Sequence, residues 1–302
     1  LKHNKILIDI KQSINFNDYD CLHAHSLFSN GYIAMKIKEK FNLPYIVAVR
    51  DTDLNTFFKY MIHLRHLGLS ILKCADKIVF MSESYKNLLI YRYVPRSLRE
   101  DVEKKAIIIP NGIDSFWLNN KGNIKHMQNS NIIKLLYVGA INRRKNVTTT
   151  LKAIRILRDK GYDIKFTVVG KTLDQSIYNK IKDLPYVKYI PPVSKEKLIK
   201  IYRSNDIFVM PSKTETFGLV YAEAMSQGLP IIYTRNQGFD GQFDEGKVGY
   251  SVDWFNAVEI SNKIVDIMCR YRELSKNCIE LCDKFDWNRI VSSYLEVYKE
   301  IC

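Results

Sequence analysis

The sequence predicts an α/β protein made of two Rossmann-like, doubly wound domains. Its 302 residues exceed one typical domain. Short apolar runs alternate with segments of helical period in two successive series. A polar, Gly-containing stretch without apolar period, residues 121–131, separates the two series and reads as the linker.

In the first series, residues 20–25 read as a short strand with polar residues at its end. Residues 30–41 follow with Ile33, Ile37 and Phe41 on one helical stripe. Pro44 breaks that helix, and the continuous apolar run 45–49 suits a parallel strand buried on both faces. Helical material runs to Leu72, residues 77–81 form another buried strand, and Ser82 is a suitable helix N-cap. Residues 106–109 make a further strand, closed by the turn Pro110-Asn111-Gly112. The second series offers strands at 135–138, 166–169, 187–190, 207–210 and 231–233. Alternation of this kind gives parallel sheets with helices on both faces. The expected domains are 1–120 and 131–286, with the helix 287–302 packing back on the first.

Composition narrows the function classes. Hydrophobic residues make up 46% and charged residues 26%, which fits a folded globular chain. No apolar run approaches the roughly 20 residues of a membrane-spanning helix. The start is polar and carries no secretory signal, and its first residue is Leu1, so the chain is expected to begin inside a longer one. The six cysteines show no paired zinc knuckle; Cys278 and Cys282 fall on one helix face, and a reducing, cytoplasmic compartment fits them. The net charge of +14 attracts anionic partners but is evenly spread. Residues 1–130 hold 19 basic and 12 acidic side chains, and residues 131–302 hold 27 and 20. A soluble basic surface is the first reading and contact with an anionic membrane face the second; nucleic-acid binding is not expected.

The chemistry concentrates in residues 205–228. A strand at 207–210 runs into Pro211-Ser212-Lys213-Thr214-Glu215-Thr216, and a helix is expected from Phe217. Open α/β sheets bind ligands at the carboxyl ends of their strands. The amides of Phe217, Gly218 and Leu219 would then face a crevice and attract phosphate, and Gly218 would let the ligand approach the backbone. Glu215 in the loop and Glu223 two turns into the helix are placed to accept hydrogen bonds from sugar hydroxyls. Either glutamate alone reads as a solvated surface residue; the whole run is far more specific.

Ser212-x-x-Glu215-x-Phe217-Gly218-Leu219, with Glu223-Ala224-Met225-x-x-Gly228-x-Pro230, resembles the Glu-x7-Glu signature of the retaining glycosyltransferases of family 4, which have the GT-B fold. The segment 137–146 is similar to that family's strand, glycine and lysine element that holds the donor pyrophosphate. Residues 166–170 resemble the strand ending in glycine near the nucleotide base, 109–114 the Pro-Asn-Gly-x-Asp turn, and 285–301 the closing helix. The resemblance covers nearly the whole chain. It implies two domains facing a cleft, with the first domain partial, since nothing before Asp20 matches the family's opening strand. Two positions depart from the pattern: Ala140 stands where the family often has Arg, and Arg50-Asp51-Thr52-Asp53 where it commonly has His.

The resemblance further implies transfer of a hexose-type sugar from a nucleotide diphosphate sugar, UDP by analogy, to a glycan or lipid-linked glycan. No cofactor is expected beyond this co-substrate, and no protein-held metal. Glu215, Lys145 and Arg144 are the expected catalytic residues. Gly139, Arg143, Arg144, Lys145, Gly170, Val193, Glu215, Phe217, Gly218, Leu219 and Glu223 are expected to bind the donor. His25, Arg50 and Asp51 are expected on the acceptor side. Asp51-Thr52-Asp53 also matches a manganese-binding Asp-x-Asp, a weak three-residue signal. His23 reads equally well as a structural histidine. A nucleotide-sugar epimerase and a non-catalytic nucleotide-sugar-binding module are the alternative readings.

Overall fold

The computed structural model describes residues 2–127 and 132–302. The chain divides into two compact units, Leu1–Pro110 with Asn288–Cys302, and Asn111–Trp287.

The first unit holds a four-stranded parallel sheet, β1 (Leu22–Ala24), β2 (Tyr45–Val49), β3 (Lys77–Phe80) and β4 (Ala106–Ile108), in that spatial order. Tyr45 lies opposite Leu22, and Ile46 opposite Lys77. All five residues of β2 are buried, as its unbroken apolar run requires for a strand covered on both faces. The closing helix Trp287–Ile301 covers one side: Ile290 and Val297 pack with Ile46, Ala48, Val79 and Ile109. The opening residues, read only as a polar start, form the helix Lys2–Ser13. Its Ile6, Leu7 and Ile10 pack on Phe16, Ile33, Ile37 and Leu43. The helix expected over 30–41 spans Tyr32–Phe41, and the turn Leu27–Gly31 precedes it.

Asp53 fixes the ends of β1 and β2 together. Its buried carboxylate accepts the backbone N–H groups of Leu27 (3.1 Å), Phe28 (3.3 Å) and Arg50 (2.9 Å). Burial raises its pKa, and the three amides oppose that shift by stabilising the anion. Asp51 accepts from Asn55 Nδ2 (2.7 Å) and Tyr85 Oη (2.9 Å). The Asp-x-Asp pair is therefore engaged in the turn itself, and no cluster of three or more metal-ligating side chains occurs among the described residues.

The second unit holds β5 (Ile132–Val138), β6 (Asp163–Val169), β7 (Val187–Ile190), β8 (Ile207–Val209), β9 (Ile231–Thr234) and β10 (Gly249–Val252). All are parallel, in the spatial order β10-β9-β8-β5-β6-β7. Strand order reverses between β5 and β8, so a crevice opens at their carboxyl ends. The sequence reading missed β10, a four-residue strand that follows a long polar loop.

Residues 121–127 of the expected linker belong to the second unit, and 128–131 lie outside the described residues. Gly122 N donates to Ser226 O (2.8 Å), and Lys125 N to Ser275 Oγ (2.8 Å). The Lys125 ammonium caps the end of the helix Lys195–Arg203, donating to the carbonyls of Tyr202, Arg203 and Asn205. A polar composition hides this packing because backbone groups and one buried amine make the contacts.

Asp53→Ala would leave three amides without their acceptor, at about 1–3 kcal/mol for each one buried. The expected outcome is a clear fall in the urea midpoint, with the loss appearing in far-UV circular dichroism. An unchanged midpoint would remove Asp53 from the frame.

Candidate functional site

The site grows from two loops at the reversal point between β5 and β8. The first loop leaves β5 at Gly139, whose N–H donates to Val169 O (2.9 Å). Gly170, at the end of β6, has φ +148°, and a Cβ there would stand 2.0 Å from Gly139 O. Close backbone approach thus explains this glycine without invoking a ligand. Tyr137 Oη donates to Ala140 O (2.9 Å) and fixes the departure of the loop.

Asn146 then ties the loops together. It adopts the left-handed conformation, φ +58°, and its Nδ2 donates to Pro211 O (2.8 Å) and Trp254 O (2.6 Å). Its Oδ1 accepts from Thr149 Oγ1 (2.9 Å). One amide side chain thereby joins the ends of β5, β8 and β10. Arg144 adds two links: Lys213 N donates to its carbonyl (2.8 Å), and its Nη1 donates to Thr214 O (3.0 Å).

This lacing brings Lys145 Nζ to 2.5 Å from Glu215 Oε2. Both side chains are largely buried, 14% and 6% exposed, so the pair is shielded from water and salt. Ser212 Oγ donates to the same oxygen (3.1 Å). Gln237 Oε1 accepts the Glu215 N–H (2.9 Å), and Glu215 O accepts from Gly238 N (3.0 Å). Glu215 is therefore fixed at backbone and side chain alike. Breaking the pair on one side would strand a buried charge, typically at about 3–5 kcal/mol.

The helix after this loop begins at Leu219, with Gly218 as its left-handed N-cap, φ +80°. The expected start at Phe217 is corrected: Phe217 is buried and packs against Phe239 and Phe285. A Cβ on Gly218 would meet the Tyr221 ring at 2.3 Å, so bulk and backbone conformation both demand glycine.

Glu223 occupies a different environment. Its Oε2 accepts from the hydroxyl of the fully buried Tyr202 (3.1 Å). Burial pushes its pKa up to about 7, the Tyr202 hydrogen bond and Lys195 oppose the rise, and Asp114 adds to it. Lys195 itself pairs with Asp114. The two glutamates thus meet different partners, Glu215 the Lys145 ammonium and Glu223 the Tyr202 hydroxyl.

Of the other expected donor groups, Arg143 is 84% exposed, with Nε 3.5 Å from Asp174 Oδ2. Arg144 is exposed and gives one guanidinium N–H to Thr214 O. Val193 lies half-buried beyond β7, and Leu219 is 42% exposed at the helix start.

The expected acceptor-side residues lie in the first unit. His25 is exposed and stacks on His23 at 4.2 Å, and its carbonyl accepts from Arg50 Nε (3.1 Å). His23 Nδ1 lies 2.6 Å from Tyr298 Oη on the closing helix. Burial lowers the His23 pKa to about 4, with His25 and Arg50 adding to the effect. Sequence reasoning missed Gln237 and Tyr202, and gave Ser212 and Asn146 only as members of the two motifs, without their hydrogen-bonding roles.

The model of the family "Glycosyl transferases group 1" matches residues 121–283, more than half of the chain. An uncharacterized glycosyltransferase of Methanocaldococcus jannaschii is 26% identical over 300 residues, 96% of this chain and 78% of its own. The capsular polysaccharide biosynthesis glycosyltransferase CapM of Staphylococcus aureus is 30% identical over 235 residues, covering 72% and 59%. The crystal structure of Anabaena HepE in complex with UDP superposes with a TM-score of 0.74 at 14% identity, covering 98% of this chain and 82% of that one. Two parallel-sheet units, the crevice at β5 and β8 and the matched family model agree: the chain belongs to the group 1 glycosyltransferases and has the GT-B fold.

Proposed function

We propose that this glycosyltransferase moves a hexose-type sugar from a UDP-sugar to a glycan or lipid-linked glycan, with retention at the anomeric carbon. The observation that carries the reading is the buried Lys145–Glu215 pair at the strand-order reversal, beside the start of the helix Leu219–Ser226. The solved structure of a similarly folded protein with UDP, and the capsular polysaccharide role in the name of a relative, support the donor and acceptor classes.

Transfer breaks the bond between the anomeric carbon and the diphosphate oxygen, so negative charge grows on the leaving group. Lys145 supplies a fixed positive charge for it, and the helix start adds amide dipoles, with no desolvation left to perform at the moment of reaction. As Lys145 turns to the phosphate, Glu215 gains free lone pairs for hydroxyls of the transferred sugar. Ser212 holds that carboxylate in place, and Gln237 holds the Glu215 backbone. Glu223 takes the ribose hydroxyls, with Tyr202 steadying it from behind. Arg143 has no part in this reading, and Arg144 acts by holding the loop.

Three measurements test it. In calorimetric titrations, Lys145→Ala weakens UDP binding by about 1.5–3 kcal/mol while uridine binding changes little. The wild-type UDP constant is the same with EDTA present. Equal losses for UDP and uridine would place Lys145 away from the phosphates.

In transfer assays across a panel of UDP-sugars, Glu215→Gln lowers turnover far more than it lowers UDP affinity. Normal turnover in this variant would end the assignment of Glu215 to the sugar. Conversion of the donor without any acceptor would mark an epimerase.

Glu223 gives a pH signature. Its folded pKa of about 7 lies above its ordinary value of 4.5, so the folded state holds the extra proton between them. Its contribution to stability is then full below about 4.5 and is lost as pH rises through 7. Thermal midpoints at pH 5 and pH 8 should therefore converge more closely in Glu223→Gln than in the wild type. Parallel behaviour of the two proteins would show that Glu223 is not buried as described.

A further inference from the structure

One surface of the first unit combines exposed apolar side chains with cations. It combines the segment 57–66, which follows the turn Asp53–Phe58, with residues 91–99 at the junction of the helices Glu83–Arg92 and Arg96–Lys105. Two contacts join the two segments: Phe58 stacks on Tyr93 at 5.2 Å, and Arg65 lies over the Tyr93 ring at 5.3 Å. Within the first segment, Arg65 Nε donates to Phe58 O (2.7 Å). Large apolar groups stand out from this joined patch: Tyr60 is 70% exposed, Ile62 64% and Tyr91 58%. Each aromatic carries a cation: Lys59 lies 5.1 Å from the Tyr60 ring, Arg92 5.7 Å from Tyr93, and Arg99 5.5 Å from Tyr91.

We infer that this patch docks the protein on a bilayer containing anionic phospholipids. Charge complementarity selects the partner. Residues 54–75 contain Lys59, Arg65 and Lys73, with His63 and His66, and no acidic residue at all. Tyrosines with a wet hydroxyl and a dry ring settle at headgroup level, and neighbouring Lys and Arg bind the lipid phosphates. Ile62 distinguishes a bilayer from a nucleic acid. An exposed aliphatic side chain at the tip of the patch gains from acyl chains and offers no stacking face to a base. The contact is peripheral, since no helix among the described residues is long and apolar enough to cross a membrane. This inference does not rest on the donor assignment; it would bring the chain to the surface where lipid-linked acceptors reside.

The test is co-sedimentation of the whole chain with vesicles of phosphatidylcholine alone and of phosphatidylcholine mixed with phosphatidylglycerol. Binding is expected to the mixed vesicles only, and to fall as salt rises. Lys59→Gln and Arg92→Gln should each weaken binding about fivefold, the loss of one basic residue at the surface. The double variant Tyr60→Ser/Ile62→Ser should weaken it further, with an unchanged thermal midpoint. Lys180→Gln, an equal charge change on the exposed face of the second unit, should leave it intact. Equal binding to neutral vesicles, no binding to mixed ones, or an equal loss with Lys180→Gln would overturn the proposal. So would patch-dependent binding to single-stranded RNA in place of vesicles.

Discussion

The second unit is organised around one buried ion pair between loops that leave different strands. Lys145 follows β5 and Glu215 follows β8, and their 2.5 Å contact lies where strand order reverses. Two charges leave water for such a place only if each finds its partner and the remaining lone pairs are bonded. Ser212 Oγ bonds the Glu215 carboxylate, Gln237 and the Gly238 amide hold the Glu215 backbone, and Asn146 clips the flanking loops together.

The surroundings of the two glutamates explain how a repeated residue type serves two purposes. Glu215 faces an ammonium and a hydroxyl. Glu223 faces Tyr202, with the Lys195–Asp114 pair nearby, and burial raises its pKa.

The first unit follows a parallel logic with a different anchor. Asp53 collects amides from the turns after β1 and β2, and the closing helix, more than 200 residues away in sequence, covers the β2 and β3 side chains. These turns present His25, Arg50 and Asp51 on rigid backbone. On the same unit Tyr60, Ile62 and Tyr91 are exposed, whereas the apolar side chains of β2 and β3 are buried.

Local pattern determined much of this protein. Apolar runs such as 45–49 and 77–81 are strands because no other element buries so short a continuous stretch, and alternation with helical segments makes the sheets parallel. The residue types at 212–230 and 137–146 were enough to mark the family. Tertiary structure decided what depends on partners distant in sequence. Phe217 left the expected helix start for the core because Phe239 and Phe285 wait there. Residues 121–127 joined the second unit because Lys125 found three helix-end carbonyls. Arg143 and Arg144, adjacent, alike and both exposed, took different partners, Asp174 for the first and the Thr214 carbonyl for the second. Glu223 acquired its raised pKa from burial in the assembled unit, and its hydrogen-bond partner Tyr202 lies 21 positions away, where no local pattern announces it. Periodicity reports which residues face inward; only the assembled fold reports which charge each of them meets.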